Sequence, residues 1–173
     1  MTKSTVDIPI ATEQMNYRKS FQILPGTHVK LKNYETACKG KHEQKAAALL
    51  KIESLEYAMD KLQFRLYAEN KRSLLICLQG LDAGGKDGVV RHVIGAMNPQ
   101  GCRVQSFKEP TPLELAHDFL WRIERQVPRR GEVVIFNRSQ YEDVLIVRVH
   151  HLVQEKVWSA RYKQINEWEK RLV

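Results

Sequence analysis

Between residues 43 and 69 apolar side chains return every three or four positions, at Ala48, Ile52, Leu55, Met59, Leu62 and Leu66. That spacing predicts one face of a long amphipathic helix packed against a core. Its roughly three heptads are few for a coiled coil between two copies. After residue 70 the period changes. Ser73–Gln79 (SLLICLQ) is an almost unbroken apolar run, as expected of a strand buried on both faces of a parallel sheet. Lys86–Met97 fits a helix stopped by the NPQG turn at residues 98–101. Cys102–Phe107 alternates as a second strand, followed by the loop KEPTP. Leu113–Gln126, with Leu115, Phe119 and Ile123 four apart, predicts a further helix, which Val127–Gly131 breaks. Glu132–Asn137 (EVVIFN) is a third buried strand, and Gln154–Val173 a final helix facing inward through Val157, Tyr162, Ile165, Trp168 and Leu172. Strand–helix alternation of this kind predicts an α/β fold with a parallel sheet and right-handed crossovers.

The N-terminal 40 residues lack periodicity. With turns at Pro25-Gly26 and Lys39-Gly40, they read as an extended arm leading into the long helix. The expected plan is one domain of 173 residues, with arm and helix over residues 1–70 and core over residues 71–173. No apolar run approaches the roughly 20 residues of a membrane span. The N-terminus also lacks the apolar stretch of a secretory signal, so the expectation is a cytoplasmic protein with no membrane partner. Cys38, Cys77 and Cys102 form no CxxC cluster, which argues against structural zinc and disulfides. The net charge of +8 favours a polyanionic partner. Its basic residues are spread along the chain rather than gathered in a tail, which suits a charged groove better than a disordered basic arm and gives no sign of a specific nucleic-acid site.

One segment carries recognisable chemistry. Gly80-Leu81-Asp82-Ala83-Gly84-Gly85-Lys86 satisfies GxxxxGK and lies directly after a predicted strand and before a predicted helix. Phosphate oxygens need several backbone N–H donors converging on one point. Glycines allow that close approach, the helix N-terminus adds its dipole, and lysine adds a point charge. Gly80, Ala83, Gly84, Gly85, Asp87 and Gly88 are the candidate phosphate-binding positions, with Lys86 the candidate catalytic cation. Two features depart from the usual loop. Asp87 follows Lys86 where a hydroxyl residue normally binds magnesium, and Asp82 places a carboxylate inside the cradle. A carboxylate there repels phosphate unless a cation lies between, so Asp82 is the candidate magnesium ligand.

The second motif is Phe136-Asn137-Arg138-Ser139-Gln140-Tyr141-Glu142-Asp143, at the end of the third strand. Asn137 stands where a strand-end carboxylate commonly holds magnesium, and Arg138 can neutralise charge on a transferring phosphoryl group. Glu142 and Asp143 are the nearest carboxylates. They suit metal or acceptor binding, and equally the acidic start of a following helix.

Taken together, GLDAGGKDG, SFKEPTP, AHDFLWR and IFNRSQYEDVLIVRVHHLV closely resemble the polyphosphate kinase 2 family, above all its polyphosphate:nucleotide phosphotransferase branch. The likeness extends over most of the chain. It implies a P-loop kinase-like fold similar to thymidylate kinase, a three-layer α/β/α arrangement with a parallel sheet and an N-terminal helical extension. It also implies Mg2+-dependent phosphoryl transfer between inorganic polyphosphate and a nucleotide (AMP, ADP or GDP). Position by position, the resemblance implies catalytic roles for Asp82, Lys86 and Arg138. It implies a nucleotide or acceptor role for Asn137, Glu142 and Asp143, and phosphate contacts for Arg91, Lys108 and Arg122. Gln140 stands where this branch carries histidine, and the family's chemistry asks nothing of His92, His117, His150 or His151. Family members continue past the equivalent of Val173 with a further strand and a basic helical lid. A C-terminal strand and lid are therefore expected to be absent from this sequence, with turnover impaired and a sheet edge left open. The long helix and that edge suggest a homo-oligomer, dimer or tetramer. Two other readings stay open: an ATP-dependent small-molecule kinase, and a non-catalytic P-loop module that binds polyphosphate or nucleotide.

Overall fold

Val133–Asn137 (β3) is the strand on which the other two are built. In a computed structural model that describes residues 19, 21–34 and 45–173, Leu74–Leu78 (β1) and Cys102–Ser106 (β2) flank it in the order β1-β3-β2, all parallel. Leu78, Asn137 and Ser106 share one register level, so the three strands end together. Successive side chains on β3 point to opposite faces. Val134 and Phe136 join Phe107, Leu120, Ile123, Val144, Ile165 and Trp168 on one face, while Val133 and Ile135 pack with Ile94 and half-buried Leu66, Ile76, Val90 and Met97 on the other. All four apolar β3 residues are no more than 1% exposed, which accounts for the unbroken run VVIF. β1 lies at the sheet's edge, and Leu74 is 46% exposed. The expectation of burial on both faces is thus met by β3 and only partly by β1.

The helices are Lys45–Glu69 (α1), Lys86–His92 (α2), Pro112–Leu115 (α3), Trp121–Glu124 (α4), Glu142–Val149 (α5) and Glu155–Leu172 (α6). Two differ from the sequence reading. α2 stops at His92 and is followed by a separate 3-10 turn over Ile94–Ala96, instead of running on to Met97. The helix expected over Leu113–Gln126 is two single turns. Thr111 and Glu114 form a reciprocal capping box that starts α3. The Asp118 carboxylate then accepts the Leu120 N–H at 2.9 Å, offering the backbone a local partner in place of the helical ladder. On α6 only Ile165 and Trp168 are buried, while Val157, Tyr162 and Leu172 are 42–46% exposed.

The chain divides into two compact units, Met1–Ile52 and Glu53–Val173, and α1 crosses that boundary. In the first, the described residues form a turn in which Thr27 N–H donates to Leu24 O, and a 3-10 turn over Leu31–Asn33. Most of the expected arm, the first residues of the long helix and Cys38 lie outside the described residues. In the second unit the apolar stripe of α1 is not simply a buried stripe. Leu55 and Leu62 are 59% and 63% exposed, Met59 and Leu66 are half-buried, and the residue buried between them is Gln63. Its amide donates to Asn98 O at 3.0 Å and accepts from Asn98 N–H at 2.9 Å, pairing both backbone groups of the turn that precedes β2.

Gln63→Leu would leave the Asn98 N–H without its partner and the Asn98 carbonyl with only the Gly101 N–H, at 3.2 Å. It is expected to lower stability by about 1–3 kcal/mol, read as a lower urea midpoint at unchanged slope; an unchanged midpoint would show the pairing to be dispensable.

Candidate functional site

The loop after β1 is shaped by two residues of left-handed backbone, Ala83 (φ 61°) and Gly85 (φ 91°). Between them Gly84 donates its N–H to Leu81 O at 3.0 Å, and a Cβ there would sit 2.8 Å from that oxygen. Only glycine fits so close an approach. The Lys86 ammonium folds back over the loop and donates to Gly80 O and Leu81 O, both at 2.8 Å. The loop's own carbonyls thus hold the lysine in place.

A cavity of about 660 Å³ opens above this loop. Its walls are residues 82–88, Ser106–Glu109 following β2, and Asn137–Arg138 ending β3. All three segments lie at the carboxyl ends of parallel strands, where ligands of open α/β sheets bind. Arg138 has left-handed backbone (φ 63°) and donates its N–H to Leu78 O at 3.1 Å. Its guanidinium forms an ion pair with Asp82 and approaches Glu142 at 3.8 Å. A non-glycine residue in this conformation costs of order 1–3 kcal/mol, and such strain concentrates at functional sites. Beside it the Asn137 amide donates to Asp87 at 2.7 Å. Gln79 donates to Glu142 at 2.6 Å and accepts from the Ser139 hydroxyl at 3.1 Å, fixing the turn into α5. Farther back, Glu169 accepts from Gln140 at 2.9 Å and from the Tyr141 hydroxyl at 2.6 Å. Burial and that carboxylate push the Tyr141 hydroxyl well above the usual tyrosine range.

The charges facing the cavity balance. Lys86, Lys108 and Arg138 meet Asp82, Asp87 and Glu109. Among the described residues no three His, Cys, Asp or Glu side chains converge as a metal cage. Magnesium seldom needs one, since it is commonly held by one or two carboxylates together with substrate phosphates. The hard oxygens of Asp82, Asp87 and Asn137 fit that mode.

Of the residues singled out from sequence, Asp82, Ala83, Gly84, Gly85, Lys86, Asp87, Gly88, Lys108, Asn137 and Arg138 all line the cavity. Gly80 contributes beneath it, through its carbonyl on Lys86. Glu142 is half-buried behind Arg138. Arg91 lies exposed on the last turn of α2, outside the lining. Arg122 and Asp143 are not brought to the cavity either. Arg122 is 8% exposed and donates to Lys108 O, and Asp143 is 9% exposed and paired with Arg161 and Arg122. Burial pushes the Asp143 carboxyl up, against the opposing pull of both arginines. Ser106, Phe107 and Glu109 line the cavity without having been singled out. Their position directly after the second predicted strand was the available signal.

The family described as Polyphosphate kinase 2 (PPK2) matches residues 41–173. The chain is 48% identical over 155 residues to the AMP/ADP-polyphosphate phosphotransferase of Meiothermus ruber, covering 89% of this chain and 58% of that protein. It is 42% identical over 166 residues to the ADP-polyphosphate phosphotransferase of Rhodopseudomonas palustris, covering 89% and 57% respectively. The crystal structure of polyphosphate kinase 2 from Arthrobacter aurescens superimposes with a TM-score of 0.82 at 42% identity, over 89% of this chain and 56% of that one. The chain thus spans a little over half the length of these relatives. Among the described residues no helix is long and apolar enough to cross a membrane.

The capping box that starts α3 gives a pH signature. The Thr111 backbone N–H donated to Glu114 is the main reason that carboxyl lies below its ordinary value of 4.5. A carboxyl lowered by folding stabilises fully above its unfolded value, and that contribution is lost as pH falls through the folded value. The Thr111 amide proton is therefore expected to titrate with a midpoint below pH 4.5. A midpoint at or above that value, measured by NMR, would contradict the capping geometry.

Proposed function

The chain belongs to the polyphosphate kinase 2 family, and from that premise we propose that its P-loop cavity transfers a phosphoryl group between inorganic polyphosphate and a nucleotide. The observation that carries the proposal is the meeting of the phosphate loop, Lys108 and the Asp82–Arg138 pair on one cavity. A loop that only gripped phosphate would have no use for a carboxylate in its cradle. Relatives whose names pair polyphosphate with AMP, ADP or GDP support a nucleotide as second substrate.

The chemistry asks for position and charge more than for proton transfer. The N–H groups of residues 83 and 85–88 and the Lys86 ammonium bind the donor phosphates, Lys86 exchanging its two carbonyl partners for phosphate oxygens. That exchange is feasible because phosphate offers a charge-assisted bond in place of two neutral acceptors. The Asp82–Arg138 pair is open to solvent, with side chains 84% and 36% exposed. Exposed pairs are worth about 0–1 kcal/mol, so an entering phosphate can separate them and take Arg138 as its own partner. Arg138 then stabilises charge spreading over the transferring group. Asp82, Asp87 and Asn137 are the side chains that would hold a magnesium ion, which would supply positive charge to offset that of the phosphates. A balanced wall of three cations and three carboxylates cannot by itself compensate a polyanion, which is the physical reason to expect a divalent ion there. Lys108 on the facing wall orients the chain of phosphates.

The test is to incubate the protein with polyphosphate, magnesium and either AMP or ADP, with no ATP, and to follow the more highly phosphorylated nucleotide by chromatography. Product is expected, and Lys86→Ala should lower kcat/KM by about 100- to 1,000-fold. Equal rates for the two proteins, or product only when ATP is added, would overturn the reading.

A further inference from the structure

Arg122 is the most deeply buried arginine of the second unit, and two of its contacts fall on one short segment. Its Nη1 donates to Lys108 O at 2.8 Å, and its guanidinium carbon lies 5.6 Å from the centre of the Phe107 ring. The same group sits 3.9 Å from Glu114 on α3 and 3.9 Å from Asp143 on α5. Asp143 is fixed in turn from α6, where Arg161 donates to its carbonyl at 3.0 Å and to its carboxylate at 3.3 Å. The Asp143 oxygen facing Arg122 has no hydrogen-bond partner of its own. The opposite end of the segment is tied to the central strand: Phe107 N–H donates to Asn137 O at 3.1 Å, and its ring meets Phe136 edge-on at 4.8 Å. Phe107–Lys108 is therefore anchored at one end by β3 and at the other by a buried guanidinium seated on Asp143, while Lys108 and Glu109 are exposed and line the cavity.

We propose that Arg122 is a positioning residue for the phosphate site, acting solely through the Phe107–Lys108 main chain, with Asp143 as its seat. This rests on the phosphate-binding reading above and assigns to two residues expected at the substrate a place one layer behind it. The side-chain type follows from the geometry. A planar guanidinium with several donors can bond a carbonyl, face a carboxylate and lie over an aromatic ring at once, whereas an ammonium presents one compact charge. With the strut in place, the Lys108 main chain is fixed before substrate arrives, and its side chain approaches the phosphates from a defined base.

Two measurements on the 173-residue chain test it. The first is hydrogen exchange in the absence of ligand. Arg122→Met is expected to speed exchange at the amides of residues 107–109 and 111 while those of β3 stay protected, and Arg122→Lys should fall between the two. Should Arg122→Met fail to fold, Arg122→Lys, which leaves Asp143 its counter-charge, carries the measurement. Unchanged exchange at residues 107–109 and 111 in a folded variant overturns the proposal. The second is a double-mutant cycle on affinity for inorganic tripolyphosphate with magnesium, by calorimetry. Lys108→Ala should weaken binding on the order of tenfold. Arg122→Met should weaken it several-fold in the parent but add nothing once Lys108 is alanine. Additive losses would mean that Arg122 reaches phosphate independently, and the proposal would fall. Absence of tripolyphosphate binding by the parent chain would instead remove the functional reading, while the exchange measurement still decides whether Arg122 holds the loop.

Discussion

The cavity at the strand ends depends on the burial of four consecutive residues, Val133–Phe136, on both faces of the sheet. Those side chains join the two cores that sandwich the sheet, and the strand they form continues directly into Asn137 and Arg138. β1, which delivers the phosphate loop, and β2, which delivers Phe107–Glu109, are each aligned by pairing with that one strand. Truncating a buried Ile or Phe to Ala typically costs about 2–5 kcal/mol, against a total stability of about 5–15 kcal/mol for a domain. A defect in β3 would therefore disturb all three walls of the site at once. Arg138 can be held in a strained backbone conformation because it follows so tightly packed a strand.

Electrostatics at the site differ from what the overall charge suggests. A surplus of +8 points to a basic groove, yet the cavity lining is balanced. Much of the positive charge near the core is engaged structurally: Arg103 with Glu132 and the Gln126 carbonyl, Arg122 with the Lys108 carbonyl, Arg161 with Asp143. Inside the cavity two of the groups that would meet phosphate already have partners, Lys86 in loop carbonyls and Arg138 in Asp82. These partners are exposed and exchangeable, unlike the buried ones. That contrast separates groups free to change partners during a reaction from groups that hold the frame.

The buried polar side chains form a distinct set with one purpose. Gln63 pairs both backbone groups of Asn98, Arg122 holds the Lys108 carbonyl, and Gln140 with Tyr141 ties the start of α5 to Glu169 on α6. Each joins segments far apart in sequence, and each satisfies a group that would otherwise be costly to bury. None touches the cavity, although residues of these types are the ones a search for chemistry selects.

The strand–helix alternation, the parallel sheet and the phosphate loop were legible in the residues because each rests on local causes: period, glycine placement and a lysine opening a helix. Ten residues expected at the site do line the cavity, nearly all of them within two short motifs whose backbone brings them together. What the sequence could not reveal depends on contacts between distant segments. Which strand is central is decided by pairing, since β1 and β3 are both apolar runs. Whether the 113–126 stretch forms one helix or two turns is decided by Asp118, whose carboxylate takes the Leu120 N–H from the helical ladder. Whether an arginine faces substrate or supports a loop is invisible in its identity. The family resemblance marked Arg122 for the site from sequence. Burial and a carbonyl 14 positions away set its place behind the wall, because a guanidinium beside Asp143 and Phe107 is already paired before any phosphate could reach it.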